Sequence, residues 1–217
     1  MNLATEMLKP SEAAVVAHVD VKDINRAIDE HIVPDVFISV DDGRRVSANA
    51  CSLIAFYFDT AKHLTSDWRL VAINEFSSRL RKFQNLEISN LLLENWTIEN
   101  KVITIDLGPF VRETSLRFER LRAARNLIIS DPHVLGGTPV VRGTRVPVYD
   151  VAASIKAGIN IDRIISSYPA LDRNAVELVT LYAEANPARG RPKTISEFTN
   201  GSTVIAKRKV LRQRKAG

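Results

Sequence analysis

The sequence predicts an α+β protein that is mainly helical and ends in a basic tail. Apolar residues recur at helical spacing in several segments, and many of these segments stop at glycine or proline. Short β-rich runs surround turn sequences such as Asp-Asp-Gly. The patterns predict a helical module with a β-wing, a helix–hairpin–helix connector, a β-hairpin followed by three helices, and a disordered tail. We place these parts at residues 1–62, 63–125, 126–187 and 188–217.

The bulk composition limits the classes of protein to consider. The chain has 217 residues and is 45% hydrophobic, which is enough for one large domain or two small ones. No stretch approaches the roughly 18–20 apolar residues of a membrane helix, and the first residues lack the apolar run of a secretory signal. Cys51 is the only cysteine, which rules out an internal disulfide and a cysteine-based zinc site. We therefore expect a cytoplasmic protein without a membrane segment.

The positive charge of the chain is concentrated at one end. The formal net charge is +5, from 30 basic and 25 acidic residues. Residues 188–217 hold nine Lys and Arg and a single acid, Glu197, which leaves 21 basic and 24 acidic residues in the rest. A basic tail on a mildly acidic body predicts an acidic partner, either nucleic acid or an acidic protein surface.

The first part has the pattern of two helices and a hairpin. Residues 11–17 are alanine-rich and begin with Ser11, which we expect to cap a short helix. Val21, Ile24 and Ile28 then recur at the spacing of a second, amphipathic helix. β-rich residues on both sides of Asp-Asp-Gly predict a hairpin, and a mostly buried helix follows. Helix, short turn, helix and hairpin together form the layout of a winged helix-turn-helix.

This layout predicts a DNA-binding surface. The second helix would enter a major groove, and the wing would reach the phosphate backbone or the minor groove. The module resembles the small winged helix-turn-helix domains of excisionase and MerR-like regulators. An alternative is a helical hairpin that serves only packing, with its charges in solvent. The candidate DNA-binding residues are Lys22, Asn25 and Arg26 on the helix and Arg44 and Arg45 on the hairpin.

The connector predicts two helices separated by a strand pair. The first helix begins at Ser66 or Asp67, either of which would cap it. Alternating apolar and polar residues predict two strands around Glu99-Asn100. Pro109, a favoured first-turn residue, starts the second helix. Its apolar stripe is expected at Phe110, Val111, Leu116, Phe118 and Leu121.

The opposite face of that second helix is rich in arginine. Glu113 and Glu119 offset part of its charge. We favour a solvated face over a nucleic-acid contact. The arginines concerned are Arg112, Arg117, Arg120, Arg122 and Arg125.

The stretch LGGTPVVRGTRVPV, residues 135–148, predicts a tight β-hairpin. It lacks the lysine of a phosphate-binding loop, the Gly-x-Gly-x-x-Gly of a dinucleotide site and the serine of a nucleophile elbow. Gly136-Gly137 would turn the chain, and Gly143 would permit a positive φ at the hairpin tip. Three helices are expected after the hairpin, the last of them capped by Asp172.

This region resembles the family called domain of unknown function 433, over about 60 of the 217 residues. The family pattern is an Asp-Pro turn, then Gly-Gly-x-Pro-x-x-x-Gly-Thr-Arg-x-Pro-Val, then three helices with a Tyr-Pro break before the last. The turn and break match at Asp131-Pro132 and Tyr168-Pro169, and the motif ends at Val148. The other motif residues, which the resemblance assigns to a dimerising hairpin, are Gly136, Gly137, Pro139, Arg142, Gly143, Thr144, Arg145 and Pro147.

The resemblance also implies that the three helices form a second helix-turn-helix. Its last helix would read DNA, but it offers only Arg173 and Asn174 beside several carboxylates. We expect the first module and the tail to carry more of the DNA binding. For Arg142 and Arg145 we favour a structural role, in which they brace the hairpin by bonding to carbonyl or carboxylate oxygens.

The whole layout resembles a VapB-type antitoxin, whose partner is usually a PIN-like ribonuclease toxin. The resemblance implies a homodimer that binds operator DNA and neutralises the toxin through its C-terminal region. Cations of the tail would pair with the carboxylates that hold metal ions in such a nuclease. Nonspecific binding of the tail to DNA phosphates is the alternative. The candidate toxin-binding residues are Arg189, Arg191, Lys193, Phe198, Lys207, Arg208, Lys209 and Arg212.

No catalytic constellation is visible in the sequence. The four histidines, His18, His31, His63 and His133, show no metal-ligand spacing, and no nucleophile–base set is evident. We expect a protein that is not an enzyme and needs no cofactor or metal. Two alternatives to the antitoxin remain open: a stand-alone transcriptional regulator, and a dimeric adaptor that does not bind DNA.

Overall fold

The computed structural model describes residues 6–82, 88–99 and 103–188, and for residues 88–90 only the backbone. Within these ranges the chain forms eight α-helices and seven short strands, which confirms the α+β, mainly helical fold class. The helices are α1 (Pro10–Ala17), α2 (Val21–Asp29), α3 (Cys51–Asp59), α4 (Ser66–Arg81), α5 (Gly108–Leu127), α6 (Val148–Lys156), α7 (Ile161–Ser167) and α8 (Arg173–Ala185). The strands are β1 (Met7–Leu8), β2 (Ile38–Ser39), β3 (Arg45–Ser47), β4 (Thr97–Glu99), β5 (Thr104–Asp106), β6 (Ile128–Ile129) and β7 (Val140–Val141).

Helix α1 starts earlier than expected because Pro10 occupies its first position. Lys9 precedes the helix, and its backbone N–H donates to Glu12 Oε2 over 3.0 Å. The expectation that Ser11 caps this helix is wrong, since Ser11 lies inside the first turn. Its hydroxyl instead donates to the carbonyl oxygen of Ala185, 2.6 Å away at the end of α8.

The turn after α1 and the predicted hairpin are both present. His18 ends α1 with a φ of 56°, and α2 begins three residues later. Strands β2 and β3 pair antiparallel with Ile38 opposite Val46, and Gly43 takes a φ of 89° between them. Strand β1, which the sequence pattern did not predict, pairs with the other edge of β3 and gives the order β1-β3-β2.

Helix α4 begins at a different cap from the one expected. Thr65 precedes the helix, and its hydroxyl oxygen accepts the backbone N–H of Trp68. Ser66 and Asp67 therefore lie inside the first turn, and the prediction that one of them is the cap is wrong. The predicted strand pair is confirmed, since β4 and β5 pair antiparallel with Ile98 opposite Ile105.

One residue of the predicted apolar stripe of α5 faces solvent. Leu116 is 66% exposed, whereas Val111 and Phe118 are buried. Val111 and Phe118 are seven residues apart and so share a face, whereas Leu116 is five residues from Val111 and points well away from it. Thr114 and Ser115 of α5 are buried, whereas Leu116 is not.

Helices α1 to α5 and the three-stranded sheet enclose one continuous hydrophobic core. Phe56 lies at its centre and meets the rings of Phe76 and Phe110 edge-on, with centroids 6.4 Å and 5.6 Å apart. Because Phe110 belongs to α5, residues from the first two parts of our division pack into the same core. Ala185, at the end of α8, is also buried in it.

A second core lies under the hairpin and among helices α6, α7 and α8. Val148 and Val151 of α6 pack there with Ile164 of α7 and Val176 and Val179 of α8. Asp172 caps α8 as predicted, because its carboxylate accepts the N–H of Ala175 over 2.6 Å.

The hairpin of residues 135–148 has the expected turn and an unexpected partner. Gly143 takes a φ of 76° at the tip, as predicted. The strand partner of β7 is β6, with Ile129 opposite Val140. The segment after the turn makes only an isolated bridge, between Val140 and Pro147.

Arg125 links α5 to the N-terminal elements by ion pairs. Its Nη2 lies 3.0 Å from Glu12 Oε1, and its Nη1 also pairs with Glu6. Glu12 is only 4% exposed. Burial alone lowers the pKa of Arg125, but the hydrogen bonds to Glu12 and Glu6 outweigh it and leave that pKa above its ordinary value. The guanidinium therefore stays charged beside a buried carboxylate.

Replacing Arg125 by methionine should destabilise the fold by about 3–5 kcal/mol, because it leaves the buried Glu12 carboxylate without its cation. The measurement is the free energy of unfolding in urea. Arg122→Met is the matched control on the same helix, since Arg122 pairs with Glu119 at the surface and should contribute less than about 1 kcal/mol. Adding Glu12→Gln to Arg125→Met should recover part of the loss. Equal effects of the two methionine variants would contradict this account.

Cys51 supplies a prediction about pH. Burial raises the pKa of its thiol to about 12, whereas an exposed cysteine titrates near about 8.5. The unfolded chain therefore loses the thiol proton first, and stability falls as the pH rises through this window. The expected loss is about 2 kcal/mol between about pH 7.5 and about pH 10.

The control for this prediction is Cys51→Ala, which removes the thiol and keeps the other groups that titrate at high pH. Urea unfolding at both pH values should show that Cys51→Ala loses about 2 kcal/mol less than the parent chain. An identical loss in the two proteins would show that the thiol does not titrate as described.

Candidate nucleic-acid interface

Arg44 fastens the β2–β3 hairpin to helix α2. Its Nη1 donates to Asn25 Oδ1 and to Asp29 Oδ2, each over 3.1 Å, and its Nη2 lies 2.8 Å from Asp29 Oδ1. A guanidinium bound to both oxygens of one carboxylate favours one relative orientation of the two elements that carry these groups. The hairpin and the exposed face of α2 therefore form one continuous surface.

Lys22 and Arg26 share that exposed face, and each has a carboxylate partner. Lys22 Nζ lies 3.1 Å from Asp20, and Arg26 Nε donates to Glu30 over 2.9 Å. The hydrogen bonds to these carboxylates raise the pKa of Lys22 and of Arg26 above their ordinary values. Both side chains are cations at neutral pH, but the local charge is close to balanced.

The five DNA-binding residues predicted on α2 and the hairpin thus fall into three groups by their contacts. Asn25 and Arg44 are in contact, Lys22 and Arg26 lie beside them on α2, and Arg45 is half-buried in β3 without an ion pair to any described residue. Asn25 also donates its side-chain amide to Val21 O, so its orientation is fixed at both ends.

The carboxylates that surround these cations were not predicted from the sequence. The pair of Arg26 and Glu30 has the i, i+4 spacing that stabilises helices and was open to prediction. Arg44 and Asp29 are 15 residues apart and lie on different elements, so no local sequence pattern predicts their pairing.

Helix α8 is the second candidate for a DNA-recognition helix. Arg173 and Asn174 lie exposed at its N-terminal end. The Arg173 guanidinium lies 2.6 Å from Asp162, which ties α8 to α7. The described geometry therefore gives Arg173 a bridging role between two helices.

Four of the five arginines on the arginine face of α5 form ion pairs with carboxylates. Arg117 and Arg122 pair with Glu113 and Glu119 along the same helix. Arg120 reaches α8, where it lies 2.7 Å from Glu177. Arg125 reaches the buried Glu12, as described above, so the expectation of a merely solvated face is wrong for this residue.

The motif residues of the hairpin stabilise its turns. Gly136 and Gly137 both take positive φ values, 63° and 85°. Thr144 Oγ1 donates to Val141 O and accepts the N–H of Val146. Pro139 contributes its carbonyl oxygen to the N–H of Val148, the first residue of α6, and Pro147 caps that helix.

Arg142 and Arg145 differ in their surroundings. Arg142 Nε donates to Asn126 O over 2.9 Å, and its backbone N–H donates to Leu127 O. The predicted bracing role is therefore confirmed for Arg142. Arg145 is exposed and has no hydrogen bond or ion pair to the described residues.

Among the described residues, no group of three or more histidine, cysteine, aspartate or glutamate side chains is placed to hold a metal ion. None of the helices in the described ranges is long and apolar enough to cross a membrane. The predicted toxin-binding residues lie outside the described residues: Arg189, Arg191, Lys193, Phe198, Lys207, Arg208, Lys209 and Arg212.

Comparison with known proteins assigns the C-terminal core to a family. Residues 128–183 match the family model described as "Protein of unknown function (DUF433)". The uncharacterized protein y4eO of Sinorhizobium fredii is 52% identical over 217 residues, covering 100% of this chain and 98% of the relative. The chain belongs to the y4eO family. No solved structure matches it.

The DUF433 match confirms the resemblance seen in the motif residues. The DUF433 domain of this y4eO-family chain runs from β6 into α8 and contains the second core. It includes Arg142, Arg145, Arg173 and Asn174. The surface formed by α2 and the β2–β3 hairpin lies outside the DUF433 domain, in a part of the chain that the match to the y4eO relative also covers.

Proposed function

We propose that this chain is the antitoxin of a type II toxin–antitoxin pair and represses its own operon by binding DNA as a homodimer. The DNA-binding part of the proposal is supported by the surface formed by α2 and the hairpin, which Arg44 links to each other. The antitoxin half rests on the resemblance to VapB-type layouts and on the basic tail.

The dimensions and residues of α2 suit a major groove. Its nine residues give a helix about 14 Å long, and the diameter of an α-helix with its side chains, about 10–12 Å, fits a major groove about 12 Å wide. Lys22, Asn25, Arg26 and Asp29 are spaced at i, i+3, i+4 and i+7 and so lie along one face. On DNA, Asn25 would contact a base edge, and Lys22 and Arg26 would contact phosphates.

Because its cations have carboxylate partners, this surface of a single copy of the chain would bind DNA weakly. A phosphate must displace Asp20 from Lys22, or Glu30 from Arg26, so part of the gain replaces an existing ion pair. Two copies on two half-sites, together with the basic tail, supply the affinity that one α2 lacks. The proposal therefore requires a dimer.

The basic tail is the proposed toxin-binding element. PIN-like nucleases hold metal ions with carboxylates, and an arginine or lysine forms its strongest hydrogen bonds with such groups. Residues 188–217 contain nine Lys and Arg and only one acid. Phe198 and its aliphatic neighbours would hold the tail in a groove of the toxin while the cations block its active site.

The DNA-binding proposal predicts the effect of salt. Lys22→Ala combined with Arg26→Ala removes two phosphate-contacting cations. The slope of log affinity against log salt for DNA upstream of the chain's own gene should therefore fall by about 2. Fluorescence anisotropy with labelled upstream DNA measures this slope over a range of salt concentrations.

The matched control is Lys62→Ala combined with Arg81→Ala, which removes two exposed cations that lie outside α2 and the hairpin. This variant should keep the parent slope. Equal slopes for the two double variants would assign DNA binding to general charge. Failure of the parent chain to bind the DNA would contradict the DNA-binding proposal and favour the alternative of a dimeric adaptor.

The antitoxin proposal predicts the outcome of a growth experiment. The reading frame next to this gene, expressed alone in a bacterial host, should arrest growth because it encodes the nuclease. Coexpression of the full chain should restore growth, and a chain cut after Asn186 should not. Growth is measured as colony counts after induction.

A control separates tail charge from tail length. Lys207→Ala, Arg208→Ala and Lys209→Ala keep the length and remove three cations, and this triple variant should relieve the arrest only in part. Full relief by the shortened chain would place toxin binding on the body. Growth without arrest in the first experiment would favour a stand-alone regulator.

A further inference from the structure

Three surface cavities meet at His18, the exposed residue that ends α1. Their volumes are about 520, 470 and 560 Å³, and His18 lines all three. We call this connected surface the His18 trough. It runs from the end of α3, past the turn between α1 and α2, to the outer face of α8. The α2 face that carries Lys22 and Arg26 does not line it.

The floor of the His18 trough is apolar. Val15 and Val19 flank His18, Phe110 of α5 lies at one end, and Ile155 and Leu181 lie at the other. All five side chains are only partly buried in the described chain. A partner that covered them would remove apolar surface from water.

The rim of the trough is acidic. Six carboxylates line the three cavities, and two arginines face them. Three carboxylates already have a partner within the described chain: Asp20 with Lys22, Glu113 with Arg117, and Glu177 with Arg120. The other three, Asp23, Asp59 and Glu184, form no ion pair with the described residues. The trough therefore carries negative charge that its own cations do not neutralise.

We propose that the His18 trough binds a basic amphipathic segment of a partner protein, in which Lys or Arg alternate with aliphatic side chains. The aliphatic side chains would cover the valine, isoleucine and leucine floor. The cations would pair with Asp23, Asp59 and Glu184. This inference concerns the body of the chain and does not rest on operator binding or on the tail.

The negative charge of the rim disfavours two other occupants of the His18 trough, a nucleic acid and a second copy of the trough itself. A nucleic acid would bring phosphates against unpaired carboxylates, which is repulsive at close range. A second copy of this chain that met the trough with its own trough would place the same carboxylates opposite each other. A basic protein segment satisfies both the floor and the rim.

The test measures binding of a synthetic peptide to the full chain by fluorescence anisotropy. The probe has about twelve residues, or about three helical turns, with Leu on one face and Arg on the other. A second peptide keeps every Arg and replaces each Leu by Ser. The Leu/Arg peptide should bind at least about tenfold more tightly than the Ser/Arg peptide, because the floor contributes.

Two triple variants locate the binding site. Asp23→Asn, Asp59→Asn and Glu184→Gln together should weaken binding of the Leu/Arg peptide at least about tenfold. Asp41→Asn, Asp42→Asn and Asp67→Asn remove the same charge from exposed positions outside the trough and should leave the affinity unchanged within about twofold.

Three results would overturn the proposal. They are no binding of the Leu/Arg peptide, equal binding of the Ser/Arg peptide, and equal weakening by the two triple variants. The last would show that the peptide responds only to total charge. Circular dichroism of each variant establishes that it is folded before its affinity is compared.

Discussion

The ion pair between Arg125 and Glu12 fixes the arrangement on which the rest of this structure depends. Glu12 uses one carboxylate oxygen to accept the N–H of Lys9 at the start of α1, and the other to bind Arg125 of α5. A carboxylate with so little exposure must have such partners, because its desolvation is otherwise uncompensated. Its presence therefore specifies where α5 crosses α1.

The neighbouring residue of α1 fixes a third helix. The Ser11 hydroxyl bonds to Ala185 O at the end of α8, so consecutive residues of α1 hold α5 and α8. Arg120 closes the triangle by pairing with Glu177 of α8. Three helices that are joined in pairs by polar contacts cannot slide past one another without breaking at least one of these contacts.

The DUF433 domain follows the N-terminal helices directly, without a linker between α5 and β6. Helix α5 leaves the first core at Leu121 and continues directly into β6 of the second. In the opposite direction, α8 leaves the second core and buries Ala185 in the first. If two copies associate through the DUF433 domain, α5 determines the distance between their α2 helices, and therefore the spacing of the half-sites.

Local patterns in the sequence predicted local structure well. Three local predictions are confirmed: the amphipathic helix α2, the cap at Asp172 and the turn at Gly143. Each depends on residues that are close together in the sequence. The cap of α1 failed because Pro10 moved the start of the helix and left Ser11 free to bond elsewhere.

Contacts between distant residues explain most of what the sequence did not predict. Strand β1 has two residues, too few to show alternation, and it exists because β3 offers a free edge. The same holds for the candidate interface. The spacing of Lys22, Asn25 and Arg26 placed them on one face of α2, but the ion pair of Arg44 and Asp29 joins two elements that no local spacing relates.

The electrostatics of the candidate interface bear on how the proposed function would operate. The cations of α2 are balanced by carboxylates, and the chain outside the tail has more acids than bases. In the proposed function, long-range attraction to DNA would then come mainly from the tail, while α2 would supply orientation and base contacts. A nuclease that occupied the tail would remove that attraction from each copy. Repression by the complex would then depend on linking dimers through the nuclease, because two weak contacts on one DNA molecule bind far more tightly than either alone.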